Sequence, residues 1–212
     1  MASAIRRGAR RIPESLKRAT QIELSNLPPT TTPADLRRLI VRAQVQGVED
    51  AAIDYHHLNP TGRAYLKLTH PDFLVPGLDA LEKVTISGIH PIAQPSQRPP
   101  AAAQLDGNGL SSELDSNGRY VAVWGLPKAV APNVLDDIIR DRFSFPPGEP
   151  YIFKMPELNT ADNPRVFTLA SRFLVRLASV SEAHRLVREL HMTYYWPERH
   201  QTKYPLRARV IY

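Results

Sequence analysis

The chain has 212 residues, 42% of them hydrophobic, a net charge of +6 and no cysteine. That length admits one medium domain or two small ones with packed cores. The missing cysteine excludes a disulfide framework, a thiolate zinc site and a cysteine nucleophile, and it fits a reducing compartment. No apolar run approaches the roughly 18 residues of a membrane span, so no membrane partner is expected.

The positive charge sits at the two ends. Residues 1–20 hold Arg6, Arg7, Arg10, Arg11, Lys17 and Arg18 against Glu14 alone. Residues 21–118 hold seven basic and eleven acidic side chains, and residues 119–212 fourteen basic and nine acidic. In the first segment Ile5, Ala9, Ile12 and Leu16 recur at helical spacing, and Pro13 interrupts them. An arginine-rich, acid-poor start of this kind matches a mitochondrial presequence. The other reading is a basic arm that contacts phosphates.

From Gln21 the chain alternates as a strand, with Ile22 and Leu24 on one face and Glu23 and Ser25 on the other. Pro28-Pro29 ends it. Thr32 caps a predicted helix with Pro33 at its first position, Asp35 in its first turn and an apolar stripe of Leu36, Leu39, Ile40 and Ala43. Gly47 closes that helix. A strand over Val48 to Tyr55, a loop over His56 to Thr61 and a strand over Arg63 to Leu68 follow. A short helix over Asp72 to Leu81, a tight turn at Ser87-Gly88 and a strand over Ile89 to Ala93 complete the set. Residues 95–118, with Pro95, Pro99, Pro100 and few large apolar side chains, read as a flexible linker.

The order then repeats. Strands are expected over Tyr120 to Leu126, Tyr151 to Met155, Arg172 to Leu177 and Leu206 to Ile211. Helices are expected from Pro132, with the stripe Val134, Leu135, Ile138 and Ile139, and from a Ser181 cap, through Ala183, Leu186, Val187 and Leu190. A long polar loop covers Pro156 to Thr168. An aromatic and basic excursion runs from His191 to Pro205. Arg63 to Leu68 and Arg172 to Leu177 share charge and apolar phase, which marks an internal repeat.

The glycine-led strand Gly62-Arg63-Ala64-Tyr65-Leu66-Lys67-Leu68, after Ile22-Glu23-Leu24-Ser25-Asn26-Leu27, resembles the two central strands of an RNA-recognition motif (RRM). The resemblance implies an α+β fold of two ferredoxin-like βαββαβ (RRM-type) domains, 21–94 and 119–212, joined by the flexible linker at 95–118. In that family, exposed aromatics on the middle strands stack RNA bases. The matching positions here are Glu23, Arg63 and Tyr65 in the first domain and Ala122, Arg172 and Leu174 in the second. The first keeps one stacker. The second has a basic face, with Tyr120 and Trp124 in the outward phase.

The implied function is non-enzymatic RNA binding in mitochondrial RNA metabolism or translation. The partner is mRNA or rRNA, held by Arg63, Tyr65, Lys67, Tyr120, Trp124, Arg172, Arg176, Arg207 and Arg209. The alternative is a protein-interaction scaffold in a larger ribonucleoprotein such as a mitochondrial ribosome, with Tyr194, Tyr195, Trp196 and Tyr204 as docking residues. The matrix is the expected location, with cytoplasm or nucleus as the alternative. No cofactor, small-molecule substrate or metal is expected. His56-His57 has no third ligand placed by sequence, and no phosphate loop, nucleophile elbow or other catalytic motif is present.

Overall fold

The structure is a computed structural model that describes residues 13–56, 58–97, 117–148, 150–155 and 170–212. The expected polar loop over Pro156 to Thr168, His57 and most of the basic arm and linker lie outside these residues. The chain divides into two compact units, Met1–Glu113 and Leu114–Tyr212.

In the first unit, a single 3-10 turn at Glu14–Leu16 follows Pro13. Strands β1 (Gln21–Ser25), β2 (Val48–His56), β3 (Asn59–Leu68) and β4 (Ile92–Ser96) form an antiparallel sheet in the order β2-β3-β1-β4. Helices α1 (Pro33–Ala43) and α2 (Leu74–Leu81) supply Leu36, Leu39, Leu74, Leu78 and Leu81 to the core. The sheet supplies Ile22, Leu24, Ala64, Leu66 and Leu68, all essentially inaccessible to solvent. Burial of each such leucine is worth about 1.5–3 kcal/mol. The order is strand, helix, strand, strand, helix, strand: the split βαβ of a ferredoxin-like, RRM-type fold.

Four local readings change. Helix α1 ends before the expected Gly47: Gln44, left-handed at φ 54°, is its cap, and its N–H donates to the Ile40 and Val41 carbonyls. The expected loop at His56 to Thr61 is a tight hairpin, because His56 already pairs with Asn59 across Leu58 at φ 66°. The expected helix from Asp72 begins as a 3-10 turn at Pro71–Phe73, and α2 proper starts at Leu74. Pro76 then falls in the first turn, where its missing N–H has no intrahelical partner to lose. A Cβ on the following Gly77 would lie 3.2 Å from Ile22 Cδ1 and 3.3 Å from Val45 Cγ1, so glycine lets α2 approach the sheet. The last strand is displaced towards the C-terminus. Ile86 and Ile89 exchange two backbone hydrogen bonds across Ser87-Gly88, and β4 runs through Pro95 to Ser96. β4 is an edge strand, where proline is tolerated. Residues 95 and 96, expected in the linker, are therefore sheet.

The second unit repeats the plan. Strands β5 (Tyr120–Pro127), β6 (Ile152–Lys154), β7 (Ala170–Arg176) and β8 (Arg207–Ile211) are antiparallel in the order β6-β7-β5-β8. Helices α3 (Pro132–Ile139) and α4 (Val180–Leu190) contribute Leu135, Ile139, Ala183, Leu186 and Leu190 to a core with Val121, Val123, Phe173, Val175, Ala208 and Val210. The cap of α4 is Ser179, not Ser181. Its hydroxyl accepts from the Glu182 N–H at 3.2 Å, while the Glu182 carboxylate accepts from Ser144 N–H at 2.9 Å. Between α4 and β8 the excursion holds a four-residue helix, α5 (Pro197–His200).

Candidate nucleic-acid interface

Strand alternation assigns each sheet residue to a face, and register assigns it to a row. On the second unit, the face opposite Val121, Val123, Phe173 and Val175 carries three rows. Arg172, Trp124 and Arg207 are directly paired across β7, β5 and β8. Phe153, Leu174, Ala122 and Arg209 form the next row, and Arg176, Tyr120 and Ile211 the third. Paired residues in antiparallel strands have Cβ atoms about 4.5–5.5 Å apart. Trp124 therefore stands between Arg172 and Arg207 in its row.

These rows differ in access. Arg207 and Arg209 are exposed, and Trp124, Arg172 and Arg176 are half-buried. Tyr120 is only 8% exposed, and the Arg176 guanidinium lies 5.9 Å from its ring centroid. Ala122, Leu174 and Ile211 are buried. The expected outward phase of Tyr120 holds, but its ring is covered and offers little stacking surface. The exposed residues of this face are Arg207, Arg209 and Phe153, with Trp124 and Arg172 half-buried in the same row as Arg207. Phe153 is not among the sequence-predicted site residues. It is 40% exposed and pairs with Leu174. The signal that could have found it is the alternation inside the expected strand Tyr151 to Met155, where Ile152 points in and its neighbour must point out.

The first unit has a different face. Arg63, Tyr65 and Lys67 lie opposite the core side of β3, as their phase requires, but each meets acid or cover. Arg63 pairs with Glu23 at 3.6 Å and Lys67 with Glu49 at 3.1 Å. Glu23 stands directly across from Tyr65. Tyr65 is 9% exposed. Burial pushes its hydroxyl pKa up, and the charges of Glu23 and Asp54 push it further. Carboxylates thus flank the one aromatic of the platform, and they repel phosphate. The basic surface of this unit is elsewhere: Arg37, Arg38 and Arg42 are exposed on α1 around Val41, and only Arg38 has a carboxylate partner among the described residues, Asp35 at 3.3 Å.

The excursion divides its aromatics. Tyr195, expected as a docking residue, is a core residue: it is buried with Leu190 and Leu206, and burial raises its hydroxyl pKa. Its ring stacks on His200, which meets Tyr204 edge-on with centroids 5.3 Å apart. Tyr204 is half-buried under the Lys203 ammonium. Trp196 is exposed, with the Arg199 guanidinium 5.1 Å from its ring centroid. Tyr194 is also exposed.

Among the described residues no group of three His, Asp or Glu side chains could hold a metal ion, and no helix is long and apolar enough to cross a membrane.

Neither a family model nor a curated protein matches the chain. Solved structures similar to it include an Sxl-lethal protein–RNA complex, at 14% identity and TM-score 0.34, covering 91% of this chain and 99% of that one. Sex-lethal RNA recognition domains 1 and 2 from Drosophila melanogaster match at 16% identity and TM-score 0.32, over 90% and 98% of the two chains. The first two RRM domains of a yeast poly(U) binding protein match at 13% identity and TM-score 0.32, over 90% and 98%.

Proposed function

We propose that this chain is a non-enzymatic RNA-binding protein whose second unit supplies most of the affinity through its sheet face. The observation that carries this reading is the Arg172·Trp124·Arg207 row, a half-buried indole between two arginines on the sheet, with the exposed Arg209 beside it. Arginine neutralises phosphate and releases counterions. An indole face stacks any base for about 1–3 kcal/mol. The first unit contributes less, because Glu23 and Glu49 neutralise Arg63 and Lys67.

The test is binding of a labelled single-stranded RNA at two salt concentrations. Replacing Arg172, Arg207 and Arg209 with Ala is expected to weaken binding for all sequences alike. It should also flatten the salt dependence, by roughly one unit of slope for each phosphate that is no longer neutralised. Trp124→Ala is expected to cost about 1–3 kcal/mol with the slope unchanged. Wild-type binding that survives the triple replacement would sink the proposal.

A scaffold role has one observation in its favour: Val41 is 75% exposed on α1 among Arg37, Arg38 and Arg42. It predicts capture of an acidic protein by the first unit, undiminished in the triple variant. For location, the arginine-rich composition of residues 1–20 supports import into the mitochondrial matrix. A reporter carrying those residues should enter mitochondria and should stay outside once Arg6, Arg7, Arg10 and Arg11 are changed to Glu. RNA of the mitochondrial translation system is then the proposed partner.

A further inference from the structure

The excursion between α4 and β8 is built as an added edge of the second sheet. Tyr194 and Pro205 form an antiparallel bridge. Around it, Tyr195 N–H donates to Tyr204 C=O at 3.0 Å, and Leu206 N–H donates to Thr193 C=O at 2.8 Å. In that pattern the bridged pair is the one that exchanges no hydrogen bonds with itself, so the bridge to Tyr194 needs no N–H from Pro205. The phase continues into β8. Leu206, Ala208 and Val210 point into the core, and Pro205, Arg207 and Arg209 point to the other face. Tyr195 is buried on the core side, so Tyr194, directly across from Pro205, stands on the same face as Arg207 and Arg209.

The attachment is rigid. Gly125, the residue at the register shift in β5, has φ +97°, and a Cβ there would sit 2.1 Å from the Pro205 carbonyl oxygen. The backbone of the excursion thus packs onto β5 beside Trp124. Tyr195, His200 and Tyr204 interlock beneath it. Met192 and Trp196, at φ 64° and 41°, hold strained backbone on either side of the bridged stretch. Of the excursion's aromatics, Tyr194 is 43% exposed, and its ring has no stacking or cationic partner among the described residues. Trp196 already has Arg199 against its ring.

The geometry points to Tyr194 as a base-stacking position for single-stranded RNA, on a fifth edge that widens the sheet surface past β8. The inference rests on the proposed RNA-binding reading and extends it. Tyr194 lies two strand spacings across and two residues along from Trp124, roughly 12 Å on the diagonal, and Arg207 is the outward residue of β8 next after Pro205. A strand of RNA crossing the face meets indole, guanidinium and phenol in turn: base, phosphate and base. A duplex has no unstacked base to give Tyr194, so the site selects single strands.

The experiment uses the full chain and labelled oligouridylates of increasing length, with an RNA duplex as the second probe. Tyr194→Ala is expected to weaken binding of the longer oligouridylates about fivefold or more. It should leave duplex binding and the salt slope unchanged, and Tyr194→Phe should bind as wild type does. Thermal unfolding of each variant reports on the fold. If Tyr194→Ala binds every oligouridylate as wild type does while Trp124→Ala and Arg207→Ala weaken it, the fifth-edge inference is wrong and the sheet-face reading stands. If Tyr194→Ala weakens duplex binding equally, or Tyr194→Phe binds as poorly as Tyr194→Ala, stacking at Tyr194 is overturned. If the wild type binds no oligouridylate, both readings fall together.

Discussion

Single side chains fix the ends of helices and the tone of the two sheet faces. Thr32 and Asp35 cap α1 reciprocally. The Thr32 hydroxyl donates to the Asp35 carboxylate at 2.7 Å, Thr32 N–H donates to the same oxygen at 3.0 Å, and the hydroxyl oxygen accepts from Asp35 N–H at 3.3 Å. Those bonds, the hydroxyl's first, hold the Asp35 carboxyl below its ordinary range. A lowered folded-state pKa contributes stability that is present above the unfolded value near 3.9 and is lost as pH falls through the folded value. Thr32→Ala should therefore cost about 1 kcal/mol at neutral pH, with a smaller gap from wild type in acid, read from urea midpoints at each pH. Tyr65 works with the opposite sign. Its hydroxyl pKa is raised by burial and by Glu23 and Asp54, so its contribution is full below about 10 and fades as pH climbs through the folded value. Glu23→Gln should bring the Tyr65 titration down towards its ordinary range, followed by ultraviolet absorbance. An unmoved titration would mean that burial and Asp54 set it without Glu23.

Elements show where sequence signals suffice. Thr32-Pro33-x-Asp35 before an apolar stripe is a cap that needs no tertiary partner, and α1 begins where that signal says. The alternation Ile22, Leu24 against Glu23, Ser25 matches the burial of β1 for the same local reason. Pro95 misleads because a proline reads as a break, while tolerance of it depends on whether the strand is at a sheet edge, which pairing decides. Ser179 and Ser181 both suit a cap, and only the backbone angles distinguish them: Ser179 is extended. The phases of Arg172, Arg207 and Arg209 are legible, since a period of two needs only the strand. The cover on Tyr120 is not, since burial of an outward residue is set by what lies over the sheet. Tyr194 sharing a face with Arg207 is equally hidden, because it depends on the bridge to Pro205. Gly125 ties the excursion to β5, so Gly125→Ala combines unfavourable left-handed backbone with a clash against a carbonyl that cannot swing aside. It should destabilise the second unit by about 1–3 kcal/mol, measured by denaturant unfolding. A cost near zero would show that the excursion is loosely seated.

At the scale of the whole molecule, each unit owns a complete core, so each should fold when expressed alone as Met1–Glu113 or Leu114–Tyr212 and unfold in one cooperative transition. Leu66→Ala should destabilise the first unit by about 2–5 kcal/mol and Phe173→Ala the second by about 3–5 kcal/mol. Both side chains are fully buried at the centre of a sheet. A fragment lacking a cooperative transition would mean that its core is incomplete. The chemistry also differs between units, with Arg63 and Lys67 paired to carboxylates on the first sheet and Arg207 and Arg209 exposed on the second. Pro95 has a consequence for how such a protein survives at high concentration. An unpaired sheet border is a template on which another chain can crystallise as one more strand, and the outcome is amyloid-like growth. β4 is such a border, and Pro95 withdraws a donor from it. β2, the opposite border, bears Glu49, Asp50 and Asp54 and two breaks in register. Fibre growth from the first unit is thereby blocked on both sides, and Pro95→Val should shorten the lag before thioflavin-positive aggregates form.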